Sequence, residues 1–403
     1  MNSSLRAKRP RIANIIEEGK LGGPQIRIAN VAKALMPDID TTVVLPFANS
    51  DRFRDLLDQY FIPYRTFHMS KITKDPKVAV RYLFFSWYEI VQLARYFRKE
   101  NFDLVHVSGG SWQYKGIVAG KLAGIKVVWH LNDTYVPWMI CQLFRFINPL
   151  ADAFFFASNR SRDFYKPFLK GHKPEFIIPA PVDSRVFDPE ISLANIADGY
   201  RQKDRMIIGT VANVNPVKDL ETFIKAASIL NRRFDNLFFV VIGSIFERQR
   251  PYHAKLQLLC KELSVTNLDF LGPKKDVRPF LKTFDVYLCS SRAESSPLSV
   301  WEAMSMAKPI VSTDVGDVSL YVQNHENGFI VGVGDAVAMA DRVGYLIRNR
   351  EKRVEFGQKS RAIAVEKLDM SSCIKLYLKA YTQILSNGGK RPSIKIPIER
   401  NSQ

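Results

Sequence analysis

No apolar run in the 403-residue chain reaches the roughly 18 residues that a membrane-crossing helix requires, and Met1 to Arg11 lacks the apolar stretch of a secretory leader. The expectation is a chain that neither crosses a bilayer nor enters secretion. Cysteine is scarce: Cys141, Cys260, Cys289 and Cys373 are scattered, with no Cys-x-x-Cys pair and no metal-ligand spacing. That excludes a disulfide framework and points to thiols in a reducing, cytoplasmic compartment. Acid is in short supply, with 40 Asp and Glu against 58 Lys and Arg for a net charge of +18. Such a balance favours an anionic partner: nucleic acid, an acidic membrane leaflet or a phosphorylated substrate. No compact run of about five or six basic residues and no recognised nucleic-acid module is present, which sets nucleic acid aside. Also missing are a full Gly-x-Gly-x-x-Gly loop, an Asp-x-Asp pair suited to a metal ion, and any repeat of solenoid period.

What is present is an apolar fraction of 46%, enough for substantial cores, arranged as strands alternating with helices. Ile12 to Ile16 reads as a strand, followed by the loop Glu17-Glu18-Gly19-Lys20-Leu21-Gly22-Gly23-Pro24, a helix over 25–35 and a strand over 41–45. An aromatic helix over 77–99, strands at 104–107, 126–130 and 153–157, and a helix near 116–123 continue the rhythm. A polar stretch from Asp183 to Arg205 interrupts it, and the alternation restarts at Met206 and runs to helices beyond 335. Strands alternating with helices imply parallel sheets, so the fold class is α/β with two doubly wound units. Ligands of such sheets bind at the carboxyl ends of the strands.

The densest chemistry lies in Ser290-Ser291-Arg292-Ala293-Glu294-Ser295-Ser296-Pro297-Leu298-Ser299-Val300-Trp301-Glu302. Pro297 suits a first helical turn. A helix starting there leaves the N–H groups of Leu298 and Ser299 free to hold a phosphate or a sugar hydroxyl. Glu294 then stands at the mouth of the loop and Glu302 inside the helix.

This segment resembles the Glu-x7-Glu motif of retaining GT-B glycosyltransferases of family 4. Ile208 to Asp219, with Lys218 near its end, resembles the family's strand-loop-helix that holds the donor diphosphate. Lys308 to Gly316 and Asn327-Gly328-Phe329 match its continuation. Gly22-Gly23, Asp103 to His106 and Trp129-His130 match the first half, and the resemblance covers nearly the whole chain. It implies two Rossmann-like domains facing across a cleft: 1–186 for the acceptor and 187–370 for the nucleotide-sugar donor. A helix over 371–387 returns to the first domain, and 388–403 is a loose tail.

The resemblance also implies roles. Glu294 accepts hydrogen bonds from the donor sugar, Glu302 accepts those of the ribose hydroxyls, and Lys218 neutralises the departing diphosphate. Asn213, Pro297, Leu298 and Ser299 complete the donor site, Gly22 and Gly23 let the backbone approach a phosphate or the acceptor, and His130 lies near the sugar. No metal and no separate cofactor is implied. The donor is a UDP- or GDP-linked sugar, and the acceptor is a lipid-linked or polysaccharide glycan at the inner face of the membrane. The chain departs from the family pattern at Asn213 and Asn215, where an arginine is usual, and at Glu294-Ser295-Ser296, where Glu-Gly-Phe is usual. These departures support an alternative, a scaffold or partner subunit that keeps the fold with a weakened diphosphate site.

Each residue also has a plainer explanation. Two glutamates eight apart are ordinarily solvated charges, and a histidine ending a strand is ordinarily hydrogen-bonded structure. His106 is read as structural. The aromatic stretches over 82–97 and 135–156 are read as core, with Leu83, Trp87, Ile90, Val91 and Ala94 forming the apolar stripe of the first. Rings outside that stripe, Tyr82, Phe84, Phe85, Tyr96 and Phe97, lie among Arg81, Arg95, Arg98 and Lys99, a pattern suited to an anionic membrane surface.

Overall fold

The computed structural model describes residues 9–70, 76–192 and 205–386, with side chains from residue 85 onward in the helix Pro76–Lys99. The expected tail at 388–403, the middle of the polar boundary segment at 193–204, and the side chains of Arg81, Tyr82, Leu83 and Phe84 lie outside the described residues. The chain divides into two compact units, one running to Pro179 and resuming at Met370, the other covering Ala180 to Asp369.

The first unit holds a seven-stranded parallel sheet in the order β3-β2-β1-β4-β5-β6-β7. Its strands are β1 (Arg11–Ile15), β2 (Asp40–Pro46), β3 (Tyr64–Phe67), β4 (Leu104–Gly109), β5 (Lys126–Leu131), β6 (Ala153–Phe156) and β7 (Glu175–Ile177). Every residue of β4 and β6 is buried, the pattern expected of strands with helices on both faces. The glycine loop after β1 leads into the helix Gly23–Leu35, with Pro24 in its first turn. The helix Met370–Ser386 lays Cys373, Tyr377, Tyr381 and Ile384 against Ile12, Leu104, Val128 and Phe155 of this sheet. A hydrogen bond of 2.6 Å from Lys126 Nζ to the Ile384 carbonyl ties the end of that helix to β5.

The second unit holds six parallel strands in the order β10-β9-β8-β11-β12-β13. These are β8 (Met206–Val211), β9 (Leu237–Ile242), β10 (Leu268–Phe270), β11 (Val286–Cys289), β12 (Ile310–Thr313) and β13 (Gly328–Val331). The order reverses between β8 and β11, the switch point at which doubly wound sheets bind ligands. All six residues of β9 are buried. Leu220, Phe223, Ile224, Ala227 and Leu230 of the helix Leu220–Asn231 recur three and four apart and join β9 in one core.

The aromatic stretches correct one expectation. Trp87, expected in the core, is 60% exposed, whereas Phe97, expected outside the stripe, is fully buried. The inward face of the helix Pro76–Lys99 is turned because it carries Glu89 to the buried Lys115, at 2.6 Å, and fills the space beside it with Ile90, Leu93 and Phe97. In the second stretch Cys141, Phe144 and Ile147 point inward, but Tyr135, Trp138, Met139 and Phe146 are each at least 73% exposed. The short strands β3 and β13 and the helix Asp51–Gln59 extend the pattern read from the sequence.

Candidate active site

In the second unit, β8 ends in a loop that makes a single tight turn over Pro216–Lys218 before the helix Leu220–Asn231. Asn215 shapes that turn, its Oδ1 accepting the Val217 amide at 3.0 Å. Asn213 accepts the Ser244 amide at 2.9 Å and so ties the ends of β8 and β9 together. A Cβ on Gly243 would stand 2.1 Å from the Ala212 carbonyl oxygen, which only glycine permits at so close an approach. Both asparagines thus shape the loop at the two positions where the family pattern has a cation.

Lys218 leaves this turn and donates a hydrogen bond to Glu294, which follows β11, in an ion pair with both side chains mostly buried. Burial opposes the charge on Lys218, but the Glu294 carboxylate outweighs it and raises the lysine above its ordinary range. Ser291 donates to the same carboxylate oxygen at 2.7 Å, and Ser290 donates to the Lys218 carbonyl at 2.9 Å. A second cation, Arg292, pairs at 3.0 Å with Asp219 and remains 60% exposed, while the Asp219 side chain is 1% exposed. Asp219 is left-handed, with φ 46°, and also accepts from Thr222 at 2.8 Å. Arg292 was not picked from the sequence; its place inside the Ser-Ser-Arg-Ala-Glu run was the available signal.

The loop after Glu294 is braced from β12. Gly316 has φ +52°, and a Cβ there would lie 2.1 Å from the Ser295 carbonyl oxygen. Thr313 donates to the Ser291 carbonyl at 2.6 Å. Ser296, where the family pattern has phenylalanine, accepts from the Trp301 indole at 3.0 Å and from the Ala180 amide at 2.8 Å. Its hydroxyl therefore fixes the loop by hydrogen bonds. The helix Leu298–Ser305 follows Pro297. Its first bonded amides are those of Val300 and Trp301, both to the Pro297 carbonyl, which leaves the Leu298 and Ser299 amides without an intrahelical acceptor. One turn in, Glu302 has no side-chain partner among the described residues, and burial pushes its carboxyl up to about 8.

In the first unit Gly22 precedes the helix Gly23–Leu35, and apart from its chain neighbours and its own helix backbone no atom of the described residues lies within 4 Å of where a Gly23 Cβ would stand. The fold itself does not demand glycine at position 23. His130 is fully buried near the end of β5. Arg27 donates to its ring, and His106 Nε2 lies 3.1 Å from its Nδ1. His106 Nδ1 meets the Tyr381 hydroxyl at 2.6 Å. Burial and the neighbouring Arg27 hold His106 down to about 3 and His130 well below its usual range, so both rings are neutral. His130 is thus buried near the end of its strand, in a cluster with Arg27, His106 and Tyr377.

Two further polar residues, Asn132 and Asp133, directly follow that strand end. Asn132 Oδ1 and Ser111 Oγ are buried without a hydrogen-bond partner among the described residues. Asp133, pushed up by burial, accepts from the Tyr165 hydroxyl and the Ser111 amide, both at 3.3 Å. Asn132 and Asp133 lie just past the end of β5 and Ser111 just past the end of β4, where open α/β sheets bind ligands, and that position was the signal available for them.

Solved structures share this architecture. The Anabaena protein HepE, in complex with UDP and glucose, superposes with a TM-score of 0.79 at 19% identity, over 92% of this chain and 98% of that one. The fold is that of the GT-B glycosyltransferases, two Rossmann-like parallel-sheet units in one chain. Two family models match in succession, Glycosyltransferase Family 4 over residues 21–185 and Glycosyl transferases group 1 over residues 194–363. The chain belongs to this glycosyltransferase family. It is 24% identical to the N-acetyl-alpha-D-glucosaminyl L-malate synthase of Bacillus anthracis, over 73% of this chain and 78% of the relative. It is 23% identical to the UDP-Gal:alpha-D-GlcNAc-diphosphoundecaprenol alpha-1,3-galactosyltransferase of Escherichia coli, over 81% of this chain and 84% of the relative.

Proposed function

We propose that the protein transfers a sugar from a nucleotide diphosphate donor to a lipid-linked or polysaccharide acceptor, with retention at the anomeric carbon and without a metal ion. The observation that carries this reading is the Lys218–Glu294 pair, on the loop that leads to the free amides of Leu298 and Ser299 and to Glu302. A donor diphosphate draws Lys218 away from Glu294, whose carboxylate then accepts hydrogen bonds from the sugar. The ribose hydroxyls donate to Glu302. As the bond from the anomeric carbon to the phosphate oxygen breaks, Lys218, Arg292 and the helix amides take up the charge that develops on the leaving diphosphate. The acceptor oxygen forms its bond on the same face, and its proton passes to the leaving phosphate oxygen. Arg292 supplies the second cation that Asn213 and Asn215 do not, which favours an enzyme over a scaffold.

In the first unit, the Gly22-Gly23 turn leaves room for a ligand at Gly23. His130 acts as a positioning residue, holding Arg27 and the end of β5. No helix among the described residues is long and apolar enough to cross a membrane. Contact with an anionic membrane surface is supported by the net charge of +18 and by the exposed Trp138, Met139 and Phe146 of the helix Trp138–Ile147.

The deciding experiment is calorimetric binding of UDP and of GDP to the wild type, Lys218→Ala and Glu302→Ala, followed by transfer from the sugar form of whichever nucleotide binds. Binding of one nucleotide, weakened by about 1–3 kcal/mol in each variant, is the expected result. Absence of binding of either nucleotide at about millimolar concentration sinks the reading in favour of a scaffold.

A further inference from the structure

At the amino ends of β1, β2 and β3, the sheet edge remote from the strand ends described above, the first unit carries an open pocket of about 740 Å³. That size falls within the range of roughly 300–1,000 Å³ typical of small-molecule sites. Four cations line it, Arg9, Arg11, Arg65 and Lys99, against two carboxylates, Asp40 and Glu100. Arg9 pairs with Asp40 at 2.7 Å and Arg11 with Glu100 at 3.2 Å. Among the described residues Arg65 and Lys99 have no carboxylate partner, so the pocket keeps two uncompensated positive charges. The Tyr96 hydroxyl lies in the field of Arg11, Arg65 and Glu100.

The rim carries the second, independent observation. Phe61 lines the pocket with 89% of its surface exposed and a backbone φ of 56°. It closes the helix Asp51–Gln59, with the Phe61 amide bonded to the Asp58 carbonyl at 3.0 Å and the Ile62 amide to the Leu57 carbonyl at 2.9 Å. This left-handed position at a helix end normally takes glycine or asparagine. A phenylalanine there bears the strain of the conformation and recovers almost nothing by burial in its own chain.

We propose that this pocket binds a small phosphorylated molecule carrying a flat apolar group, the phosphate held by Arg65 and Lys99 and the flat group lying on Phe61. Its lining belongs to the first unit, whereas the donor loop belongs to the second, and it does not rest on the transferase reading.

The test uses the full chain carrying Lys218→Ala and Glu302→Ala, which weaken phosphate and nucleotide binding at the donor loop, with phenyl phosphate and inorganic phosphate as calorimetric probes. Phenyl phosphate is expected to bind saturably at about millimolar concentration and to lose affinity as salt rises. Adding Arg65→Ala lowers that affinity about tenfold or more, the loss expected for one charged hydrogen bond. Adding Phe61→Gly weakens phenyl phosphate, leaves inorganic phosphate unchanged and, by relieving the left-handed strain, raises the melting temperature by about 2–4 °C. No saturable binding of phenyl phosphate at about 10 mM, or an affinity that Arg65→Ala leaves unchanged, overturns the proposal.

Discussion

Lys218 and Glu294, separated by 76 positions in the chain, meet in an ion pair formed by the loops that follow β8 and β11. The pair holds Lys218 in its charged form while both side chains are mostly screened from water. If the diphosphate displaces Glu294 from Lys218, the two variants separate. Lys218→Ala weakens nucleotide binding by about 1–3 kcal/mol. Glu294→Gln leaves nucleotide binding unchanged or tighter, because the lysine loses a competitor, but lowers kcat by about 100-fold, the scale for one lost transition-state contact. Calorimetry and sugar-transfer rates on the two variants check this.

If Glu302 accepts the ribose hydroxyls as proposed, nucleotide affinity depends on pH. Burial holds its carboxyl up at about 8, so at neutral pH the free protein carries it mostly protonated. Ribose hydroxyls that donate to it favour the ionised form. Affinity is therefore expected to rise as the pH goes from 6 to about 8 and to level off above, where the proton is already gone. Glu302→Gln flattens the profile. The same raised value favours the folded state below the ordinary glutamate range, and this contribution is lost as the pH rises through about 8.

The two buried histidines give the opposite dependence. His106 is held down to about 3 and His130 well below its usual value, so between about 3 and the ordinary histidine range of 6.5 the unfolded chain binds protons that the fold does not. Stability is full above that range and falls as the pH drops through it. Urea melts from pH 7 to pH 4 on the wild type and on His106→Gln, which retains a hydrogen-bonding group, are expected to differ by this slope, the opposing contribution of Glu302 being common to both.

Gly316→Ala tests the brace under the Glu294 loop. The added methyl would fall 2.1 Å from the Ser295 carbonyl oxygen at a φ of +52°. A cost of about 1–3 kcal/mol in folding is expected from the strained backbone alone. Transfer activity measured well below the melting temperature should fall further than that loss explains, because Glu294 moves with Ser295.

Trp138→Ser combined with Phe146→Ser tests contact with a membrane. Both side chains are largely exposed, at 73% and 80%, so thermal stability should change little. Binding to vesicles of anionic phospholipid should fall about tenfold or more from the loss of two buried aromatic anchors. Raised salt should weaken the wild type as well. Equal sedimentation of both proteins with the vesicles would count against this face.

Much of the architecture was legible because a buried parallel strand is a short run of apolar residues with little alternation. β8 and β9 lie at 206–211 and 237–242, where the apolar runs place them. The edge strands Tyr64–Phe67 and Gly328–Val331 were missed, each only four residues long, the first with Arg65 exposed in it. A strand that short, with one side open to solvent, leaves too little pattern to separate it from a loop.

The order of strands and helices, the absence of a membrane-spanning run and the Glu294 to Glu302 segment were determined by the sequence alone, because each rests on neighbouring residues or on a fixed local spacing. The tertiary structure decided which polar groups face each other. It joined Lys218 to Glu294 and Arg292 to Asp219, occupied Asn213 with the Ser244 amide, and buried His130 against Arg27 while leaving Asn132 Oδ1 unpartnered. It also turned Trp87 outward and Phe97 inward on one helix. The physical reason is common to all of these. Burial and hydrogen-bond partnership depend on the elements packed opposite, which lie tens to hundreds of residues away and leave no trace in local periodicity.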